Sequence, residues 1–328
     1  MSLSIQHIST YFPAGTLDNQ QLSGEFNTLP EEIFKKTGIN RRFISAPGEI
    51  ASDLAFKAAE NLFNETKIDK STIDFLIFCS EGFDYIAPAS SCILQHRLGL
   101  SNKLGCVDLP YGCSGYVYGL MMAAGLLESG AAKTVLFVTA DIPTKVLQAD
   151  DLELRSVFSD IGTASLLQLG KTKKPTQFCY GTDGKGAMDL YVERSGFRNA
   201  ITPEFINETK LPGGKMLMNG TNVFLFAIKR VPSLIKDILE KNKEEIDDID
   251  LFIFHQANAY MLEILRKKIK IPKEKFFTNI DAYGNSVSSS IPVALQEAEL
   301  KGILKKGMKV LLARFGIGNS CNATIIKY

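Results

Sequence analysis

The chain has 328 residues, of which 45% are hydrophobic and 22% are charged, an ordinary globular balance. Its formal net charge of +1 creates no overall field that would attract nucleic acid. No apolar run reaches the ~18 residues that a membrane span needs, and the opening MSLSIQHIST lacks the basic and apolar regions of a signal peptide. We therefore expect a cytoplasmic protein without nucleic-acid or membrane partners.

The cysteines and histidines limit the redox and metal chemistry that the chain can support. None of the six cysteines form a CxxC pair, and most stand in apolar segments such as FLIFCS, which is typical of free thiols in a reducing compartment. The three histidines, His7, His96 and His255, share no metal-ligand spacing. We therefore expect no zinc site.

Three apolar runs predict buried strands of an α/β protein. They are TIDFLIFCS (72–80), KTVLFVTAD (133–141) and KVLLARF (309–315). Hydrophobic runs without polar alternation are expected of central strands covered on both faces. After the first run, YVYGLMMAAGLLESG (116–130) has apolar residues at helical spacing and ends at Gly130, a suitable C-cap residue.

An internal repeat indicates duplication. TIDFLIFCS (72–80) matches DIDLFIFHQ (248–256), and a polar strand–turn–helix unit and a closing hydrophobic strand follow each. We interpret this as two halves packed about a pseudo-twofold axis, residues 1–170 and residues 171–328, the latter including connecting loops. Any two α/β units can look alike, but the preserved order of three elements favours duplication. We expect 171–222 to connect the halves and to supply loops over the site.

Cys113 is the candidate nucleophile. It lies in Tyr111-Gly112-Cys113-Ser114-Gly115, between two glycines at a predicted strand-to-helix junction. The free amides and partial positive charge at the start of the helix are expected to lower the pKa of the thiol and to hold an oxyanion. A buried structural cysteine would not need glycine on both sides.

His255 and Asn285 are the candidate partners of Cys113. His255 ends the strand of the second half, and Asn285 lies in a Tyr-Gly-Asn-Ser turn. Alone, each has a structural interpretation, as a hydrogen-bonded core histidine and as a helix N-cap or turn residue. If the halves face each other, however, the two turns and the strand end converge on one pocket, where α/β folds usually bind ligands.

Several motifs resemble the β-ketoacyl-acyl-carrier-protein synthase III family. The three short ones, similar to the family's active-site motifs, are GCSG around Cys113, HQAN at 255–258 and GNS at 284–286. The longer ones are KKTGINRR (35–42), MNGTNVFLFAI (218–228) and RFGIGNSCNATII (314–326), so the resemblance covers essentially the whole chain. It implies a thiolase fold of duplicated αβαβα layers, usually as a homodimer. It also implies phosphopantetheine thioesters of acyl-carrier protein or coenzyme A as substrates, without a bound metal or redox cofactor.

The resemblance also implies a decarboxylating Claisen condensation in fatty acid or related acyl-chain biosynthesis. Cys113 would accept an acyl group from a thioester, and the backbone of Cys113 and of Gly316 and Ile317 would hold the oxyanion. His255 and Asn285 would donate hydrogen bonds to a malonyl thioester and stabilise the enolate formed as CO₂ leaves. Further substrate contacts are expected at Lys36, Ala87, Phe224 and Asn258, and carrier-protein contacts at Lys267 and Lys268.

Some positions depart from the family's pattern. Glu32 stands where the best-known members have a tryptophan that stacks on the adenine of coenzyme A, which favours a carrier-protein donor. In the family, a bulky aromatic at the position of Ala87 closes the partner's acyl pocket across the dimer. The smaller Ala87 therefore predicts a longer or bulkier acyl group, unless neighbouring side chains fill the space. The family's arginine after HQAN is Tyr260, and the lysines that follow, Lys267 and Lys268, could instead form a solvated helix face.

Other functions remain open on the same fold. An acyltransferase would pass the acyl group to a hydroxyl or amine, and a non-catalytic partner subunit would be expected to lose the nucleophile. A thiolase would need a second cysteine as base, but Cys321 lies in a strand-like stretch. A hydroxymethylglutaryl synthase would need a carboxylate near the nucleophile, and we find none at the matching position. The acyl chain, the donor and the pathway are left undetermined.

Overall fold

The structure, a computed structural model, describes residues 2–172, 174–211 and 213–328. The strands are β1 (Leu3–Tyr11), β2 (Gly15–Asp18), β3 (Arg41–Ile44), β4 (Phe75–Cys79), β5 (Gly105–Leu109), β6 (Val135–Asp141), β7 (Ile161–Leu169), β8 (Phe178–Thr182), β9 (Leu190–Glu193), β10 (Lys215–Met218), β11 (Leu251–Phe254), β12 (Phe276–Phe277), β13 (Lys309–Gly316) and β14 (Ser320–Lys327). The α-helices are α1 (Asn19–Phe26), α2 (Pro30–Thr37), α3 (Ala51–Thr66), α4 (Ser90–Arg97), α5 (Gly115–Glu128), α6 (Leu152–Arg155), α7 (Pro203–Thr209), α8 (Gly220–Asn242), α9 (Ala259–Ile269), α10 (Ile280–Tyr283) and α11 (Ser290–Leu300).

Two five-stranded sheets share one topology. In the first, ordered β1-β7-β6-β4-β5, the first three strands pair antiparallel and the last three pair parallel. The second, ordered β8-β14-β13-β11-β12, repeats the pattern. Strands β4 and β11 therefore hold equivalent positions, and Cys79 at the end of β4 corresponds to His255 just after β11. The predicted duplicated α/β fold is confirmed, whereas the division at residue 170 stays a prediction.

The layers follow from the alternation of side chains along the central strands. In β4, Ile77 and Cys79 belong to the core that contains α5 and α11, whereas Leu76 and Phe78 belong to the core that contains the outer helices α3 and α4. In β11, alternate residues likewise face α5 and α11 or the outer helices α8 and α9. Helices α5 and α11 thus lie between the two sheets, which gives the expected αβαβα order and buries the central strands on both faces.

Helix α5 has the sequence features that its central position requires. No charged residue occurs between Gly115 and Leu127, in agreement with burial between two sheets. A Cβ on Gly119 would lie 2.6 Å from Cε2 of Phe137 in β6, so glycine allows the helix to approach the sheet closely. The helix ends as predicted, because Gly130 follows the C-cap residue with a left-handed φ of 78°.

The segment 171–222 is more structured than we predicted from its sequence. It contains β8, an edge strand of the second sheet, and the antiparallel strands β9 and β10, with α7 between them in the chain. Lys173 and Pro212, which belong to its KTKKP and LPGGK motifs, lie outside the described residues. Throughout the described residues, no helix combines the length and apolar character needed to cross a membrane.

Candidate active site

Cys113, His255 and Asn285 line the inner end of one cavity of about 1090 Å³. Cys113 lies between β5 and α5, His255 follows β11, and Asn285 lies in the segment before α11. They are 4%, 1% and 5% exposed. Because α5 and α11 share the central layer, their N-terminal ends bring residues from both halves to one point. The structure therefore brings together the three side chains that the sequence singled out.

The loop after β13 lies directly against Cys113. Gly316 has φ = 153°, and a Cβ built on it would lie 3.0 Å from Sγ of Cys113 and even closer to its Cβ. Only glycine fits this position without displacing the cysteine. The backbone N–H of the next residue, Ile317, acts to lower the pKa of the Cys113 thiol. The loop therefore places a backbone donor beside the sulfur, as an oxyanion site requires.

Backbone hydrogen bonds hold Asn285 in a fixed orientation. Its N–H donates to the carbonyl oxygen of Val157 at 2.9 Å, and its own carbonyl accepts from the N–H of Ser159 at 3.0 Å. The side-chain Oδ1 accepts from the N–H of Val287 at 3.0 Å. In the part of the chain that the structure describes, Nδ2 has no hydrogen-bond acceptor. The Asn285 amide is therefore available to donate to a ligand in the cavity.

His255 is held from the side opposite the cavity. Its backbone N–H donates to the carbonyl oxygen of Ala313 at 2.9 Å. In the ring, Nδ1 lies 2.7 Å from Oγ of Ser290 and 3.2 Å from Nη2 of Arg314. Burial, and then the charge of Arg314, lower the pKa of His255 well below its usual value. The imidazole is therefore neutral, and Nε2 is the ring nitrogen left for the cavity.

Arg314 is a site neighbour that we did not predict. It is fully buried, and its guanidinium donates to the carbonyl oxygens of Ser288, at 2.6 Å, and of Val287. Burial lowers the pKa of Arg314 to about 10, so the group stays charged at neutral pH. The available signal was Arg314 inside the apolar stretch VLLARF (310–315), because a buried charge is rare without a specific role.

Two carboxyl groups, those of Glu81 and Asp141, act on the Cys113 thiol, whereas we expected no carboxylate at the position that a hydroxymethylglutaryl synthase would use. The carboxylate of Glu81 lies against Gly112, where a built Cβ would be 2.6 Å from Oε2. The N–H of Glu81 donates to Oδ1 of Asp141 at 2.8 Å. Glu81 is exposed in the isolated chain, yet desolvation by the surrounding protein, and then the charge of Asp141, raise its pKa to about 8. Glu81 reaches this position because β4 and β5 pair in parallel.

The pKa of the Cys113 thiol is raised, although we predicted that it would be lowered. Burial raises it to about 12, and the charge of Glu81 adds to the effect. Arg314 and the N–H of Ile317 act in the opposite direction. The helix does begin at Gly115, as predicted, but desolvation of a buried sulfur outweighs the favourable groups around it. The resting form of Cys113 is therefore the thiol.

The remaining predicted residues separate into two groups. Lys36, Phe224 and Asn258 line the cavity. Asn258 also caps α9, since its Oδ1 accepts from the N–H groups of Tyr260 and Met261. The residues that line no part of the cavity in the described structure are Ala87, Lys267 and Lys268.

The mouth of the cavity, defined by Glu32, Lys36 and Tyr260, is exposed. Glu32 accepts a hydrogen bond from Oγ1 of Thr28 at 3.1 Å. The ring of Tyr260 stacks on that of Phe224, with a centroid separation of 6.3 Å. The mouth therefore combines a carboxylate, an ammonium group and an aromatic face within one opening.

Comparison with known proteins gives the same family by sequence and by structure. The sequence model of the 3-oxoacyl-[acyl-carrier-protein] synthase III family matches residues 107–184, and the sequence model of the family's C-terminal part matches residues 239–328. The β-ketoacyl-[acyl-carrier-protein] synthase III of Fusobacterium nucleatum is 33% identical over 330 residues, covering 100% of this chain and 99% of that protein. A crystal structure of 3-oxoacyl-(acyl-carrier-protein) synthase III is 37% identical with a TM-score of 0.95, covering 99% of both chains. The Thermus thermophilus enzyme is 32% identical with a TM-score of 0.89, again covering 99% of both.

The duplicated αβαβα layers and the similar solved structures define a thiolase-fold enzyme. More particularly, the chain belongs to the 3-oxoacyl-[acyl-carrier-protein] synthase III family, also called β-ketoacyl-acyl-carrier-protein synthase III. It is an acyltransferase of that type, which joins an acyl thioester to a malonyl thioester with loss of CO₂ in fatty acid biosynthesis.

Proposed function

We propose that Cys113, His255 and Asn285 divide this condensation into an acyl transfer and a decarboxylation. The observation that carries the proposal is their convergence, from both halves of the fold, on the inner end of one cavity. Cys113 provides a nucleophilic sulfur, and the other two provide neutral hydrogen-bond donors. The arrangement therefore suits a reaction that first makes a thioester on the enzyme and then attacks it with a carbon nucleophile.

The first stage loads Cys113. Its sulfur attacks the carbonyl carbon of an acyl thioester, the C–S bond to the donor breaks, and the thiol proton of Cys113 leaves with the departing thiol. The tetrahedral oxyanion is held by the N–H groups of Cys113 and Ile317, because Gly316 brings that loop against the cysteine. The high pKa of Cys113 makes these preorganised donors more important, since the thiol must lose its proton as the thioester is attacked.

The second stage forms the carbon–carbon bond. As the malonyl carboxylate leaves as CO₂, the bonding electrons form an enolate. Nε2 of His255 and Nδ2 of Asn285 donate hydrogen bonds to its oxygen. The enolate carbon attacks the acyl carbonyl on Cys113, the C–S bond breaks, and the released sulfur takes up one proton. Neutral donors favour the enolate without neutralising the carboxylate that must leave.

The substrates we propose are phosphopantetheine thioesters, carried by acyl-carrier protein or by coenzyme A, and no bound cofactor takes part. The cavity passes from Cys113 to Lys36 at its mouth, where a phosphate can be paired. Exposed Lys267 and Lys268 at the end of α9 offer cations to an acidic carrier protein, although Lys267 already pairs with Glu263 at 3.3 Å. A donor with contacts spread over a protein surface also agrees with Glu32 at the mouth.

We further propose that the enzyme is a cytoplasmic homodimer. Tyr85 and Ile86 are 64% and 76% exposed in the isolated chain, next to Ala87. Large apolar side chains in such a position are expected to be covered by a second copy. There, a small Ala87 would leave room for a long or bulky acyl group in the partner's site.

The free state of all six cysteines, each within the described residues, agrees with a reducing compartment.

The test is intact-protein mass spectrometry after incubation with a panel of acyl thioesters, followed by assay of labelled CO₂ from malonyl-acyl-carrier protein. We expect one acyl group on Cys113, and CO₂ release coupled to product formation. Acylation followed by transfer to a hydroxyl or amine, without CO₂, would instead establish an acyltransferase that forms no carbon–carbon bond. Absence of acylation by every thioester would contradict the proposal and favour a non-catalytic subunit.

A further inference from the structure

We propose that Arg314 is a positioning residue that holds His255 in the tautomer with its proton on Nε2. The inference rests on the proposed function, because this tautomer is the one that can donate a hydrogen bond to the malonyl oxygen. It adds a residue from the interior of β13 to the site, one that the cavity itself does not reveal.

The two partners of the His255 ring differ in the histidine tautomers with which they are compatible. Oγ of Ser290 lies 2.7 Å from Nδ1. A hydroxyl can donate or accept, so Ser290 is compatible with a proton on either nitrogen. Nη2 of Arg314 lies 3.2 Å from the same Nδ1. A guanidinium can only donate, so Nδ1 must be the acceptor. Arg314 therefore resolves the choice that Ser290 leaves open.

Other contacts fix the position of the guanidinium. Its Nη1 donates to the carbonyl oxygen of Ser288 at 2.6 Å, and Nη2 also contacts the carbonyl oxygen of Val287 and lies 3.4 Å from Oγ of Ser290. These groups belong to the segment between Asn285 and α11. Arg314 thus connects the segment that carries Asn285 to the ring of His255, so that both donors of the decarboxylation stage share one support.

The cost of burying this cation is evidence for a function. Within the described residues, no carboxylate lies within 4.0 Å of Arg314, and its Nε has no hydrogen-bond partner. A buried charge without a close counter-ion is unfavourable for folding. An apolar side chain would fill the interior of β13 at lower cost. A neutral amide or hydroxyl could hold the two carbonyl oxygens, whereas arginine, which has donors and no acceptor, also fixes Nδ1 as an acceptor.

The arrangement also keeps His255 from gaining a second proton. A cation beside Nδ1 disfavours the imidazolium, and burial acts in the same direction. A protonated ring would turn Nδ1 into a donor that faces another donor. The expected consequence is a decarboxylation stage whose His255 donor does not change between about pH 5 and pH 9, a range in which an ordinary histidine titrates.

The decisive measurement is nitrogen NMR of the wild-type chain labelled on histidine, in which only three histidines occur. The His255 signals are assigned by their loss in His255→Ala. We expect a pyridine-type Nδ1 and a protonated Nε2, unchanged between pH 5 and pH 9. A proton on Nδ1, or a titration near pH 6.5, would overturn the inference without affecting the assignment of Cys113 as nucleophile, which mass spectrometry tests separately.

Two variants identify the responsible side chain. Ser290→Ala removes the partner that is compatible with either tautomer, and we expect the Nε2–H tautomer to persist. Arg314→Met removes the obligate donor. We expect a mixture of tautomers, a His255 pKa that rises, and decarboxylation that is slower by about 10-fold or more. The upper limit is the ~10²–10³-fold cost of losing one donor altogether. An unchanged tautomer in folded Arg314→Met would refute the role of Arg314. If that variant does not fold, the wild-type spectrum and Ser290→Ala still decide.

Discussion

At the inner end of the cavity, Cys113, His255 and Asn285 are at most 5% exposed, and backbone and buried side-chain hydrogen bonds hold His255 and Asn285. At the mouth, Tyr260 is 65% exposed, and Glu32 and Lys36 are also exposed. A change at the inner end disturbs a network supported by both halves of the fold. A change at the mouth alters only a surface that meets the donor. The chemistry and the choice of donor are therefore separable, and mutations at the two ends should affect different kinetic constants.

The strongest test of the inner end is removal of the nucleophile. Cys113→Ala should abolish acyl-enzyme formation and condensation, because no other side chain lining the cavity among the described residues is a thiol. The fold should remain, since alanine is smaller and apolar. Intact-mass analysis measures the acyl group, with Cys92→Ala, which removes an exposed cysteine, as the matched control. Full condensation by Cys113→Ala would refute the assignment.

Cys113→Gln should retain decarboxylation, because its amide resembles the acyl thioester.

The next largest effect is expected from the two donors. His255→Ala and Asn285→Ala should each slow decarboxylation by ~10²–10³-fold, the usual cost of one oxyanion donor. Both should still permit acylation of Cys113, since neither group takes part in that stage. The measurements are release of labelled CO₂ and, separately, the mass of the acyl-enzyme. A variant that lost acylation but kept decarboxylation would show that the two stages are divided differently.

The sequence predicted the parts of the site that are encoded locally. Glycines on both sides of Cys113 and the end of the apolar strand before His255 can be recognised without knowing what packs against them. Glu81 and Arg314 could not be placed, because their proximity to the site depends on the pairing of β4 with β5 and of β11 with β13. The error about the pKa of Cys113 has the same origin, since burial and the charge of Glu81 are tertiary effects.

The fold was predictable for a related reason. Continuous apolar runs and their repeated order specify central strands and duplication through sequence alone, and the two sheets confirm both. The segment 171–222 was harder, because β8 has alternating exposure along its length and, among the described strands, pairs only with the distant strand β14. Ala87 is exposed in the isolated chain, so its predicted role depends on a second copy.

The charge of Glu81 provides a smaller test of the inner end. The pKa of Glu81, about 8, lies below that of Cys113, about 12, so the carboxylate is ionised wherever the thiol titrates. Glu81→Gln removes that negative charge and should lower the pKa of Cys113. Each unit of decrease raises the thiolate fraction about 10-fold at a fixed pH that is below the pKa of the thiol but above about 8, where wild-type Glu81 is ionised. The pH dependence of iodoacetamide alkylation at Cys113 measures the shift. Glu60→Gln, a surface change in α3, serves as control, and equal profiles for all three proteins would contradict the prediction.

The smallest expected effect lies at the mouth, in the use of coenzyme A. Glu32→Trp removes a carboxylate that repels phosphates and adds a ring for base stacking, which is worth ~1–3 kcal/mol in nucleic-acid complexes. On an exposed surface we expect only part of this stacking free energy, which corresponds to a decrease of about 3- to 10-fold in KM for acyl-coenzyme A. The value of kcat should be unchanged, because the inner end is untouched. Acylation by acyl-carrier protein should change less, since its contacts are distributed over a surface.

The control for this last prediction is Glu31→Trp, which makes the same substitution one residue earlier in α2 but outside the cavity lining. If both variants lowered KM equally, the gain would come from charge alone and not from a stacking face. If Glu32→Trp had no effect, the exposed ring of Tyr260 would already supply that face with the support of Phe224. A wild-type preference for acetyl-coenzyme A over medium-chain acyl-carrier protein would contradict the inferences from Glu32 and Ala87 together. Such a result would leave the inner end of the cavity as assigned, because Cys113, His255 and Asn285 contact the reacting atoms and not the carrier.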